Sequence, residues 1–96
     1  MNIQGYEFEG PFPLYTSSFN GVGAVYVISD DKNSSIDVGQ TDNLKERMSS
    51  HDREDCWVKN ATGKIVVYAR VINKEEDRLF VESKIRNAHK FTCGVF

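Results

Sequence analysis

Val22-Gly23-Ala24-Val25-Tyr26-Val27-Ile28, followed by Ser29-Asp30-Asp31-Lys32-Asn33-Ser34 and then Ser35-Ile36-Asp37-Val38-Gly39, is the stretch from which the fold is read. The first block is dense in β-branched residues, which suit a pleated, half-buried surface. The second is rich in Asp, Asn and Ser, whose short polar side chains bond their own backbone and turn the chain. The third reads as another short strand, so the three together predict a β-hairpin. Thr41 and Asp42 then offer N-cap oxygens, and Leu44 and Met48 fall four residues apart on one face. A helix of about ten residues, running to His51, is the expectation.

Downstream, the segment around Trp57, Asn60 and Gly63 reads as a polar connection, in which Trp57 either stacks on a base or, the favoured reading, caps the core. Lys64 to Ile72 is the clearest strand in the chain and is apolar enough to be central. Asn73 offers a cap for a second helix, with Glu75, Glu76 and Asp77 in its first turn where the helix dipole favours acids. That helix is expected to run to Asn87. Upstream, residues 1–20 space Gly5, Gly10, Pro11 and Pro13 among aromatic rings and read as an irregular arm before a regular domain over 21–96. The fold class is α/β (more narrowly α+β): a small three-stranded antiparallel-type sheet flanked by helices, in the order β-β-α-β-α.

With 96 residues, 40% hydrophobic and 27% charged, the chain suits one globular core and neither disorder nor a fibrous class. It has no apolar run of about 18 residues, so no membrane span is expected. The first ten residues do not read as a secretory signal, and a cytoplasmic location is the expectation. Cys56 and Cys93 are read as reduced thiols, and no C-x-x-C or H-x-x-x-H pair suggests zinc. A formal net charge of −2 provides no overall basic field, so any nucleic-acid binding must come from a local patch.

The segment from Ala24 to His51 resembles the first half of the GIY-YIG endonuclease superfamily. Ala24-Val25-Tyr26 matches the first signature triplet with its tyrosine kept. Asp37-Val38-Gly39 matches the second, with the glycine kept and the tyrosine replaced by aspartate. Gly39 to Arg47 is similar to the family's glycine, threonine, capped helix and arginine, and His51 follows four residues later. Glu82, among apolar helix residues, resembles the family's metal-binding glutamate. The tail Lys90–Phe96 lacks the proline and asparagine that the family usually carries there.

The resemblance implies hydrolysis of a DNA phosphodiester assisted by one divalent ion, Mg²⁺ or Mn²⁺, and no organic cofactor. Glu82 would hold the ion, which keeps several of its waters. Arg47 would contact phosphate through its planar fork of donors. Tyr26 would take or orient the proton of the attacking water, and His51 would donate or relay one. Asp37 either shares the ion with Glu82 or impairs the site. Lys45, Arg53 and Lys84 would provide the nucleic-acid face. A lone domain cutting both strands needs two active sites or two visits, which leaves room for a homodimer or another protein partner.

Taken one at a time, these residues have simpler readings. Tyr26 suits a half-buried strand position, Arg47 and His51 a solvated helix face, and Glu82 an i,i+4 ion pair with Arg78 or Arg86. A catalytically degenerate module that binds nucleic acid or protein is the alternative function.

Overall fold

The computed structural model describes residues 1–94; Val95 and Phe96, the end of the tail and of the expected 21–96 domain, lie outside the described residues. Strands β1 (Asn2–Ile3) and β2 (Tyr6–Glu7) pair as a small antiparallel ribbon, and β3 (Glu9–Pro13) follows. Then come β4 (Ala24–Asp30), β5 (Asp37–Thr41), α1 (Leu44–Ser49), α2 (Glu54–Asn60), β6 (Ile65–Val71) and α3 (Glu75–Ala88). The main sheet is antiparallel with order β3-β6-β4-β5. The expected hairpin is β4–β5, with Tyr26 opposite Gly39 and Ile28 opposite Asp37. The expected central strand is β6, paired along its whole length with β4.

The sheet is therefore four-stranded rather than three-stranded. The extra strand comes from the arm, where Phe12 and Pro13 pair with Val67 and Val66. Proline cannot donate to a ladder and is confined to edges, which is where β3 lies.

Strand alternation divides the core into two layers. Ala24, Tyr26 and Ile28 face Leu44, Met48 and Trp57 on one side, and Val25 and Val27 face Val81 and Ile85 of α3 on the other. Helix α3 covers that second face at β4 and β5, and because β5 is an edge strand, Arg86 of α3 reaches Asp37, whose side chain belongs to the other face.

Three local expectations change. Helix α1 is capped by Asn43, whose side chain accepts from Glu46 N–H, while Thr41 Oγ1 accepts from Asn43 N–H just ahead of it. It stops at Ser49, whose hydroxyl donates to the Glu46 carbonyl at 2.9 Å. Serine competes with helix backbone bonding in this way, and His51 thus leaves the helix. Helix α2 occupies part of the expected polar connection, with Glu54 and Asp55 in its first turn and Trp57 as its buried anchor. Asn73 does not cap α3: Lys74 holds that position without a side-chain bond, and the Asn73 carbonyl instead accepts from Arg78.

Cys56 and Cys93 are joined in a disulfide, which corrects the reading of two reduced thiols. The tail folds back over α2, bonding through Cys93 N–H to the Ile36 carbonyl at 2.8 Å, and this brings the two cysteine Cα atoms to 5.9 Å. No helix among the described residues is long and apolar enough to cross a membrane.

Candidate active site at the edge of the sheet

Tyr26 sits mid-strand on β4, almost wholly buried, and its phenol lies across Gly39 on the neighbouring strand. A Cβ at position 39 would collide with the Tyr26 ring and hydroxyl. Glycine is required there by close approach. The Tyr26 hydroxyl is 2.6 Å from His51 Nε2, and the two rings meet edge to face.

The direction of that bond follows from the other ring nitrogen. The backbone N–H of Arg53 donates to His51 Nδ1 at 3.0 Å, so Nδ1 is an acceptor and a neutral imidazole carries its proton on Nε2. The Asp52 carboxylate, 3.4 Å from the same Nδ1, is the longer and more exposed neighbour. His51 therefore donates to Tyr26 and leaves the phenol proton free to point elsewhere. Burial, aided by the charge of Arg53, lowers the imidazole pKa to about 4, so the ring is neutral at pH 7. Burial also pushes the Tyr26 phenol up to about 12; Arg53 and Arg47 pull it down, while Asp37 and Glu82 raise it. The phenol is therefore protonated at neutral pH.

Asp37 is fully buried and occupied. Its Oδ2 accepts from Arg53 Nε at 2.8 Å and from Trp57 Nε1 at 2.8 Å; its Oδ1 accepts from Arg86 Nη2 at 2.9 Å and from Val38 N–H at 2.8 Å. This corrects two expectations. Asp37 does not face a shared ion with Glu82, because its oxygens are taken by cations and N–H groups. Arg53 is not a free phosphate contact, because its fork grips Asp37, which raises the guanidinium pKa against the opposing effect of burial. Trp57 is core, as favoured, with its ring 4.2 Å from that of His51.

Glu82 on α3 is half-buried, and the helix-spaced ion pairs suggested for it do not form. Arg78 is buried, donating to Gln40 and to the Ile72 and Asn73 carbonyls. Arg86 is committed to Asp37 and to the carbonyls of Val38 and Cys93. Among the described residues Glu82 has no ion-pair partner within 4.0 Å. Burial raises its pKa, opposed by Arg86 and Arg53 and reinforced by Asp37. No cluster of three or more metal-ligating side chains occurs among the described residues. A single unpaired carboxylate fits only an ion that keeps most of its water, as Mg²⁺ does.

Arg47 is exposed on α1 and lines a polar hollow of about 310 Å³ with Thr41, Asn43 and Ser50. Its charge acts on both Tyr26 and His51. Lys45, also exposed, sits on the same helix, whereas Lys84 is exposed on α3 with its ammonium over the Phe80 ring at 5.6 Å. The fold thus gathers Tyr26, His51, Asp37 and Arg53 directly, sets Arg47 and Glu82 within electrostatic reach of Tyr26, and leaves Lys45 and Lys84 outside. The residues missed by sequence reasoning are Arg86 and Trp57 as partners of Asp37. An apolar hollow of about 430 Å³, lined by residues including Leu14, Tyr15, Val58 and Ile65, shares no residue with this group.

The matching intervals of these residues are accompanied by a family match: residues 22–92 match the model of the GIY-YIG catalytic domain. The chain belongs to the GIY-YIG family. The match spans β4 to the tail and leaves out the arm that forms β1 to β3. Comparisons with curated proteins and with solved structures find no match. Within this GIY-YIG domain, the kept tyrosine and glycine are the pair in contact across β4 and β5, and the replaced tyrosine is the Asp37 position.

Proposed function

We propose that the chain is a DNA endonuclease that hydrolyses a phosphodiester with the help of one divalent ion. The observation that carries the reading is Glu82: a half-buried carboxylate on α3 with no ion-pair partner among the described residues, whose charge reaches the Tyr26 phenol. A bound Mg²⁺ or Mn²⁺ would supply charge neutralisation at the phosphate and acidify a coordinated water.

The chain's own groups account for the remaining work. Tyr26 Oη has one lone pair occupied by His51 Nε2–H and one available to orient the attacking water. At neutral pH the phenol is protonated, so as that lone pair takes the water's proton its own proton passes to a phosphate oxygen or to solvent, and the residue ends the step neutral. The charges of Arg53 and Arg47 lower the cost of charge developing on that oxygen. Arg47 is exposed and free to engage a phosphate oxygen through its fork. A second copy of the chain would permit cleavage of both strands.

The test is cleavage of labelled duplex, branched and single-stranded DNA with Mg²⁺ or Mn²⁺ and with chelator. Wild type is expected to cut only with metal, and Arg47→Ala and Glu82→Ala to cut at least about 100-fold more slowly. Equal activity in all three chains would reject the site. DNA binding that weakens with salt but gives no cleavage under any metal would favour the binding module.

A further inference from the structure

We propose that Asp37 is a positioning residue: through Arg53 and Trp57 it holds His51 in the tautomer that donates from Nε2 to Tyr26. Its relevance to catalysis rests on the nuclease reading above; its structural claim does not.

Two paths run from the carboxylate to the imidazole. In the first, Arg53 Nε donates to Asp37 Oδ2 at 2.8 Å while the same residue's backbone N–H donates to His51 Nδ1 at 3.0 Å. Gripping the Arg53 side chain fixes the peptide that defines the tautomer. In the second, Trp57 Nε1 donates to that same oxygen, and the indole ring lies against the imidazole. Arg86 and Val38 N–H bind the other oxygen, which anchors the carboxylate at the β5 edge.

A phenol at this position would offer one neutral acceptor atom. A carboxylate offers two charged oxygens with about four lone-pair sites, enough for two guanidinium groups, an indole and a peptide. The replacement at the second motif is therefore accompanied by a set of donors that only an anion satisfies. The opposite tautomer would set Nδ1–H against the Arg53 N–H, donor against donor, with the exposed Asp52 carboxylate at 3.4 Å as its acceptor, and would turn Tyr26 from acceptor into donor. The orientation of the phenol proton thus depends on a residue that does not touch it.

The tautomer is read directly by long-range proton–nitrogen correlation on the full ¹⁵N-labelled chain, without substrate. Wild type should show a single Nε2–H form at neutral pH. Asp37→Asn, verified as folded by circular dichroism, should show mixed tautomers, and its cleavage should fall roughly 10–100-fold, the usual effect of losing a supporting partner. If Asp37→Asn does not fold, Arg53→Ala decides, since it removes the grip on Asp37 and keeps the peptide N–H. A single Nε2–H form in whichever of these variants folds overturns the proposal. Because no DNA is needed, a wild type that never cuts, yet whose variants lose the tautomer, sinks the nuclease reading alone. A wild type that cuts, with variants that keep both tautomer and rate, sinks the positioning role alone.

Discussion

Replacing Asp37 by alanine should be among the most damaging single changes in the chain. The carboxylate is wholly buried and satisfies the indole N–H of Trp57, which is itself inaccessible. Leaving such a donor unsatisfied costs about 1–3 kcal/mol. Arg53 and Arg86 lose their anion as well, but their side chains are 26% and 27% exposed and recover part of their hydration. About 1 kcal/mol each is therefore a fair charge-bond loss after screening. The sum, about 3–5 kcal/mol, agrees with the usual cost of breaking a buried pair from one side. Set against roughly 5–14 kcal/mol for a domain of this length, it leaves the variant near the edge of folding. Urea unfolding by intrinsic fluorescence measures it, with the denaturant slope required to stay unchanged. Trp57→Phe removes one donor and should cost about 1–2 kcal/mol, with the double variant costing less than the sum because both changes break one bond. A loss below about 1 kcal/mol for Asp37→Ala would mean that the hydrogen bonds at its carboxylate are not holding the edge of the sheet together, and the structural argument would fall.

Three further outcomes follow from the same geometry. Cys56 and Cys93 close a loop of sequence separation 37; Cys93→Ser should cost about 4 kcal/mol on the chain-entropy estimate, and titration of the denatured, unreduced wild type should find no free thiol. His51, with a folded pKa near 4 against 6.5 in the unfolded chain, binds its proton more tightly when unfolded. Its contribution to stability is thus fully present above about pH 6.5 and is lost as pH falls toward 4. The melting temperature of wild type should drop across that window more steeply than that of His51→Gln, and parallel curves would contradict the neutral, buried assignment. Gly39→Ala places a methyl group against the Tyr26 phenol and should destabilise the chain by about 1–3 kcal/mol, with a changed near-ultraviolet tyrosine signal; an unperturbed variant would show that the close approach is not as drawn.

What the sequence disclosed was mostly local. The β4–β5 hairpin and β6 are legible because β-branched runs and Asp-Asn-Ser turn chemistry act over a few residues. Strand β3 was hidden by Gly10, Pro11 and Pro13, which read as punctuation yet are acceptable on an edge. Helix α2 was hidden because seven residues with one buried anchor, Trp57, do not establish a period. Tyr26 and His51 were proposed for one site and are in contact, though His51 gets there from the loop after α1 rather than from the helix. The partners of Asp37 lie 16, 20 and 49 positions away. No spacing rule connects such residues; only tertiary packing does, and the same holds for the Cys56–Cys93 bond. The two arginines that flank Glu82 at helix spacing misled for the same reason, since each finds a better acceptor off the helix.

The most direct test of the account removes one oxygen atom. Tyr26→Phe keeps the ring across Gly39 and deletes the hydroxyl that His51 supports, so the fold and the binding of a non-cleavable DNA should be retained. With Mg²⁺ or Mn²⁺ present, single-turnover cleavage should fall by roughly 100-fold or more, the range for losing a group that handles the reacting proton. A Tyr26→Phe chain that is folded, binds DNA and cuts at the wild-type rate would contradict the assignment of this tyrosine as the centre of the site.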